Sequence, residues 1–174
     1  MKTHFFILII LCLMVQFVFA QHLNQVIMDT TLHEEVLIDT CNRDGLAGKV
    51  FGVFYQQEYA SYSPDATVLQ QMNQPWDGYQ ITIVMGSWCG DSQEQVPRFF
   101  KILDQILFPE SQVTLICVDR KKKTILADIS GVELRLVPTF IIVKDNLEAG
   151  RIIETPSETL EKDLLTIVQT LKDD

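Results

Sequence analysis

Apolar residues follow a regular pattern from about residue 78 onward in this 174-residue chain. Residues 81–85 form a β-branched run between Gly78 and Gly86, which predicts a buried strand. Apolar positions then recur every three or four residues, which predicts a helix. Its inner face contains Val96, Phe99, Phe100, Leu103, Ile106 and Leu107.

The remaining pattern predicts more of a sheet. Residues 113–118 read as a second buried strand and residues 124–129 as a short helix. Residues 139–143 and 150–154 predict a hairpin around the turn-forming residues 144–146. A final helix is predicted from Thr155, with Pro156 at its first position and Glu158 completing a capping box. This alternation predicts an α/β fold with helices on both faces of the sheet.

Residues 21–77 have a mixed pattern and predict a helical N-terminal extension that packs on a domain of residues 78–174. Residues 32–38 fit a helix or a strand, whereas Asn42 predicts a helix cap and Ser63-Pro64 a further helix that ends near residue 74. An aromatic series shares one helical face and is expected to pack on the following domain, with a peptide groove as the alternative. The series is Phe51, Phe54, Tyr55, Tyr59 and Tyr62.

The first twenty residues differ from the rest of the chain. Lys2 is followed by an apolar run that is interrupted by Gln16 and ends at Ala20. This pattern predicts a cleaved secretory signal peptide, residues 1–20, with an uncleaved membrane anchor as the alternative. The run is shorter than the roughly 20 apolar residues of a spanning helix. We therefore expect an extracytoplasmic, periplasmic protein with no stable membrane insertion after cleavage.

Charge excludes one class of partner. Without the signal segment the chain has 13 basic and 23 acidic residues, a net charge of -10. Such a chain repels phosphate backbones, so we expect no nucleic-acid partner. The basic run at residues 120–123 predicts a solvated loop, with a docking patch for an acidic partner as the alternative.

Three cysteines remain in the expected mature chain: Cys41, Cys89 and Cys117. An odd number means that at least one thiol is free or pairs with another molecule. Their spacing fits no zinc pattern and the histidines lie elsewhere, so we predict neither a metal nor a cofactor. Cys117 belongs to an apolar strand and is expected to be buried. Cys41 is expected to be a structural or surface thiol, with a distant resolving thiol as the alternative.

Cys89 lies where the predicted strand 81–85 gives way to a helix. Free amide hydrogens and the helix dipole favour an anion at such a position, and the thiolate is the attacking form of cysteine. The sequence therefore predicts that Cys89 is a nucleophile.

The segment Trp88-Cys89-Gly90-Asp91-Ser92 resembles the active-site motif of the thioredoxin superfamily, with serine in place of the second cysteine. Pro97 and Val137-Pro138-Thr139 match two further signatures of that family. The resemblance implies a thioredoxin-like fold, a central mixed β-sheet flanked by helices. It also implies that Cys89 is the nucleophile, that Trp88 shapes the surface beside it, and that a cis Pro138 orients substrate through Val137.

Three positions depart from the family pattern. Ser92 cannot resolve a mixed disulfide, because resolution needs a second thiolate; its hydroxyl can only hydrogen-bond the thiolate of Cys89. Ile83 occupies the position of the family's buried carboxylate. Asp91 replaces a proline, and its charge opposes a neighbouring anion.

Together these features predict monothiol exchange: disulfide shuffling or mixed-disulfide formation through Cys89, with Ser92 as the second residue of the catalytic motif. The expected partners are thiol- or disulfide-containing proteins or small thiols. One alternative is a redox-inactive binding or assembly module with the same fold. Another is a dithiol reductase in which Cys41 resolves. Whether the protein turns over substrate, and its oligomeric state, stay open at this stage.

Overall fold

A computed structural model describes residues 22–31 and 33–170; the expected signal peptide lies outside the described residues. These residues form a mixed α/β structure, as predicted, with a six-stranded sheet flanked by helices. The strand order is β1-β2-β4-β3-β5-β6; β3 and β4 are parallel, and the other neighbours are antiparallel. The strands are β1 (Gln25–Asp29), β2 (Glu34–Cys41), β3 (Tyr79–Met85), β4 (Val113–Cys117), β5 (Thr139–Lys144) and β6 (Leu147–Ile153).

The described residues also form five α-helices: α1 (Arg43–Ala47), α2 (Gly52–Ser61), α3 (Ala66–Gln71), α4 (Gly90–Gln105) and α5 (Leu160–Thr170). A short 3₁₀ turn, Glu110–Gln112, precedes β4.

The central strand β3 has one apolar, buried side, and its other side carries Gln80, Thr82 and the buried Val84. Ile81, Ile83 and Met85 belong to the main core, together with the inner faces of α4 and α5. Val84 points to the opposite face, because successive side chains of a strand alternate. There it packs with Val118 and Val137, next to the irregular segment 119–138. The prediction of helices on both faces is therefore not met around Val84.

The N-terminal segment is not purely helical, which corrects the predicted helical extension. Residues 34–41 form β2, which settles the ambiguity at residues 32–38 in favour of a strand. β2 pairs antiparallel with β4, and β1 pairs with β2 at the edge of the sheet. Residues 34–38 pair with β1, which lies just before them in sequence, and residues 39–41 pair with the distant β4. The predicted Asn42 cap is confirmed: its side chain accepts a hydrogen bond from Gly45 N–H.

The aromatic helix α2 packs against α4, as predicted for this series. Tyr55 and Tyr59 contact the main core. The Tyr59 hydroxyl donates to Asp104 of α4 at 2.6 Å, and Arg43 donates to the same carboxylate at 2.5 and 2.8 Å. Arg98 of α4 pairs with Glu58 at 2.7 Å. These contacts attach the N-terminal segment to the helix that follows the cysteine motif.

Two predicted helix starts are wrong because the caps lie further along the chain: the Asp65 carboxylate for α3, and for α5 the Thr159 hydroxyl, which accepts from Lys162 N–H at 3.4 Å. α3 begins after Asp65, whose side chain accepts from two backbone N–H groups, so Ser63-Pro64 lies outside it, and α3 ends at Gln71, before the predicted end near residue 74. α5 begins at Leu160 and not at Thr155. Asp163 accepts hydrogen bonds from the N–H groups of residues 157 and 158. The residues of the predicted capping box therefore lie outside the helix.

The predicted helix at residues 124–129 is absent from the structure. The backbone N–H groups of Ile125, Leu126 and Ala127 all donate to one carboxylate oxygen of Asp39, at 2.7 to 3.1 Å. Asp39 itself has a left-handed backbone (φ 63°) and is buried. The carboxylate of Asp39, more than eighty residues away in sequence, therefore holds these three N–H groups in a non-helical loop.

The predicted hairpin is confirmed, although β6 already begins at Leu147. Asp145 and Asn146 both have positive φ, 50° and 67°, as a tight two-residue hairpin turn requires.

Candidate functional site

Cys89 lies at the junction of β3 and α4, as predicted. It is the residue that precedes the first turn of α4 and has an extended backbone (φ −92°, ψ 128°). Its N–H donates to the Gly86 carbonyl at 2.9 Å, and its carbonyl accepts from Gln93 N–H at 2.9 Å. The thiol is half-buried and Gly90 beside it is exposed, with nothing within 4 Å of where its side chain would begin. The sulfur is therefore held by the helix start and remains open on one side.

The segment before β5 reaches the same thiol. The Cys89 thiol donates to the Val137 carbonyl oxygen at 3.2 Å, and the Val137–Pro138 bond is cis, as the resemblance implied. Both residues are buried, and the Pro138 carbonyl accepts from the N–H of Glu154, which directly follows β6. Two motifs that lie 48 residues apart in sequence are thus in contact.

Trp88 forms the other side of this surface. Its indole N–H donates to the Val118 carbonyl at 2.9 Å, and the Arg120 guanidinium lies over its ring, 4.5 Å from the centroid. A side chain at Gly86 would meet the Trp88 ring at 2.5 Å. Glycine is needed there because the indole packs directly on the backbone of the turn.

Ser92 lies close to the motif but faces away from solvent. Its side chain is fully buried, and its hydroxyl oxygen accepts from Gly86 N–H at 3.3 Å. The hydrogen bonds of the described residues include none between Ser92 and Cys89, so the expected hydroxyl–sulfur contact is not observed in this state. Ser92 instead stabilises the turn that carries Trp88 and Cys89.

Asp91 lies beside the sulfur, and its carboxylate accepts from the Cys89 thiol at 3.9 Å. Its charge opposes the formation of a second anion beside Cys89. Ile83, at the position where the resemblance would place a carboxylate, is fully buried in the main core. No side-chain base occupies that position in the sequence.

The other two described cysteines form a separate pair. Cys117 is buried as predicted, and Cys41 is buried too, which excludes a surface thiol. The pKa of Cys117 is raised mainly by its hydrogen bond with Cys41 and secondly by burial of the thiol. Both belong to the main core, whereas Cys89 packs beside the smaller cluster around Val84.

Two residues of this region were not singled out from the sequence. Ser87 is buried and accepts from Leu37 N–H of β2 at 3.0 Å, which links the N-terminal segment to the turn. Arg120 belongs to the basic run, but no local signal indicates that it lies over Trp88. Both positions depend on strand pairing that the sequence does not reveal.

Nothing among residues 22–31 and 33–170 suggests a metal centre, since no three acidic, histidine or cysteine side chains converge there. Over the same residues, no helix combines the length and apolarity needed to cross a membrane.

Comparisons with known proteins give little further information. No protein-family model and no curated protein matches the chain. A protein of unknown function from Pseudomonas aeruginosa is similar in structure, with 14% identity, a TM-score of 0.48 and coverage of 68% of this chain and 81% of that one. An HIV epitope-scaffold has 14% identity, a TM-score of 0.46 and the same coverages. Neither similarity is strong enough to support an argument about fold family or function.

Proposed function

We propose that this protein is a thioredoxin-like protein that acts outside the cytoplasm and exchanges disulfides by a monothiol route through Cys89. One observation carries the proposal: the Cys89 thiol lies at the start of the sixteen-residue helix α4 and contacts the Val137 carbonyl at 3.2 Å. A helix start favours the thiolate, and a substrate disulfide that reaches Cys89 would lie beside the segment of Val137 and Pro138.

The reaction needs no external electron carrier. The Cys89 thiolate attacks one sulfur of a substrate disulfide, forms a mixed disulfide and releases the other sulfur as a thiolate. A second thiol, from the substrate itself or from a small molecule, then attacks the substrate sulfur of the mixed disulfide. Cys89 leaves as a thiolate, so disulfides are rearranged without net oxidation or reduction.

The surroundings of Cys89 support a monothiol route over a dithiol one. Ser92 has no thiol to release the substrate, and its hydroxyl oxygen is occupied by Gly86 N–H. Cys41 is buried against Cys117, so its use as a resolving thiol requires the core to open.

A second candidate is a binding or assembly module with little or no turnover. The Asp91 carboxylate, 3.9 Å from the sulfur, favours this alternative because it opposes the attacking anion. In that case the surface between Trp88 and Val137 binds a polypeptide without exchanging disulfides.

The test compares the wild type with Cys89→Ser and with Cys41→Ser as the matched control. Reduced protein is treated with oxidised glutathione, and adducts are located by mass spectrometry. Each protein is then assayed for repair of a mispaired ribonuclease in the presence of a small thiol. We expect one adduct, at Cys89, and faster repair for the wild type and Cys41→Ser only.

The outcomes separate the candidates. An adduct at Cys89 without faster repair supports the binding module. Loss of repair in Cys41→Ser, with Cys89 intact, supports the dithiol route. No adduct at Cys89 in the native protein contradicts the proposal.

A further inference from the structure

A basic loop, residues 120–123, lies beside the candidate nucleophile. It carries four consecutive positive charges in a chain whose net charge is -9. Its shape is fixed, because the Asp119 carboxylate accepts from the N–H groups of Lys121 and Lys123 at 2.9 and 2.8 Å. A defined loop presents its charges at defined positions.

Three of these charges have no acidic partner in the described part of the chain. Arg120, Lys121 and Lys123 take part in none of its ion pairs, whereas Arg43, Arg98 and Arg151 are each paired with a carboxylate. The three side chains belong to exposed residues. The fourth, Lys122, donates to the Arg135 carbonyl.

The loop is directly attached to the reactive surface. The Arg120 guanidinium lies 4.5 Å from the centre of the Trp88 ring, and Trp88 immediately precedes Cys89. On the α4 side of the sulfur the charges differ: Asp91 is negative, and Arg98 is neutralised by Glu58 and Glu94. A substrate that approaches Cys89 across Trp88 therefore meets unpaired positive charge.

We propose that the basic loop selects disulfides borne by acidic polypeptide segments, and this inference rests on the proposed function of Cys89. Carboxylates near the substrate disulfide pair with Arg120, Lys121 and Lys123, while the Cys89 thiolate attacks the disulfide and expels the second sulfur as a thiolate. The occupant is a polypeptide because the charges are spread along a loop and not gathered around one point. The chain as a whole repels anions, so a preference for acidic substrates can arise only from local charge.

The test uses three cysteine peptides, flanked by glutamate, glutamine or lysine, each joined by a disulfide to thionitrobenzoate. Attack by Cys89 on the peptide sulfur releases the coloured thionitrobenzoate thiolate, whose appearance gives a second-order rate constant. At low salt we expect the acidic peptide to react about tenfold faster than the basic one. At about 0.5 M salt the difference should largely disappear, since such charges are then screened.

A matched pair of triple variants locates the effect. Arg120→Gln, Lys121→Gln and Lys123→Gln together should abolish the preference for the acidic over the basic peptide. Lys49→Gln, Lys101→Gln and Lys162→Gln change the net charge equally at sites away from Trp88 and should retain the preference. Circular dichroism is used to check that both proteins are folded. The salt dependence of the wild-type rates tests the role of charge without any variant.

Each result has a definite meaning. Equal rates for the three peptides, a faster basic peptide, or equal loss in both triple variants overturns the inference and leaves the function of Cys89 standing. Release no faster than in Cys89→Ser with every peptide overturns the proposed function instead. In that case the fluorescence anisotropy of a labelled acidic peptide, with serine in place of cysteine, measures binding to the loop directly. Loss of binding in the loop variant alone supports the inference. Equal binding by the two triple variants overturns it.

Discussion

Replacing Ser92 by cysteine tests the central chemical claim about this site. Ser92 lies three residues after Cys89, in the first turn of α4, and is fully buried. The substitution exchanges one oxygen for a sulfur and adds a second thiol beside a mixed disulfide at Cys89. If only the resolving group is missing, the variant should gain the ability to release a reduced substrate.

The structure sets the size of the expected effects. The Ser92 hydroxyl accepts from Gly86 N–H at 3.3 Å, and sulfur is a weak acceptor, so we expect a loss of about 1 kcal/mol in the free energy of unfolding. A neighbouring thiol reaches a mixed disulfide far more often than a dilute external one. Against this, Ile83 supplies no base and Asp91 opposes a second thiolate. We therefore expect a partial gain, about tenfold in reduction rate and well short of full intramolecular efficiency.

The assay is reduction of insulin by excess dithiothreitol, followed by turbidity, with four proteins compared. Ser92→Cys should exceed the wild type, whereas Cys89→Ser should fall to the uncatalysed rate. Ser92→Ala removes the same hydrogen bond without adding a thiol and should not gain activity. A wild type already as fast as Ser92→Cys, or an equal gain in Ser92→Ala, refutes the reasoning. The first result means that another cysteine resolves, and Cys41 is then the first to test by substitution.

Three further results are expected. Brief iodoacetamide treatment of the native protein should alkylate Cys89 first, and Cys41 and Cys117 only after unfolding, as peptide mapping will show; early labelling of Cys117 contradicts the buried pair. Asp39→Ala should lower the free energy of unfolding in urea by about 1–2 kcal/mol, because three backbone N–H groups lose their acceptor, and Asp39→Asn should lose less. The hydrogen bond from Tyr59 to Asp104, together with burial, raises the pKa of Tyr59 from 10.0 to about 12. The contribution of this hydrogen bond to the free energy of unfolding is therefore complete below pH 10 and is lost as the pH rises towards 12. Urea unfolding between pH 9 and 11.5 should show a shallower decline for Tyr59→Phe than for the wild type.

The elements nearest the candidate site were predictable from local sequence. The apolar run of β3, the three-to-four-residue spacing of α4 and the turn residues Asp145 and Asn146 each determine their own conformation. The position of Cys89 at a strand-to-helix junction follows from the first two. These segments bury one apolar face, or supply a positive φ, without help from a distant residue.

The misjudged segments depend on distant partners. Residues 39–41 pair with β4, more than seventy residues away in sequence, and Asp39 holds the N–H groups of residues 125–127 in a loop. α5 begins only at Leu160, because Asp163 inside the helix accepts from the N–H groups of residues 157 and 158 and keeps them outside it. In each case a long-range or reverse-direction hydrogen bond outweighs a local propensity.

The N-terminal segment is part of the support of the candidate site and not a separate addition to it. Leu37 of β2 donates its N–H to Ser87, one residue before Trp88, so the turn that precedes Cys89 is held by a strand from this segment. Asp39, two residues further along β2, accepts from Ile125 N–H in the segment that leads towards Val137. A single strand therefore contacts both backbone segments that meet at the sulfur. Because thiol exchange requires the attacking sulfur and the substrate to align closely, displacement of β2 should disturb both sides of the site together.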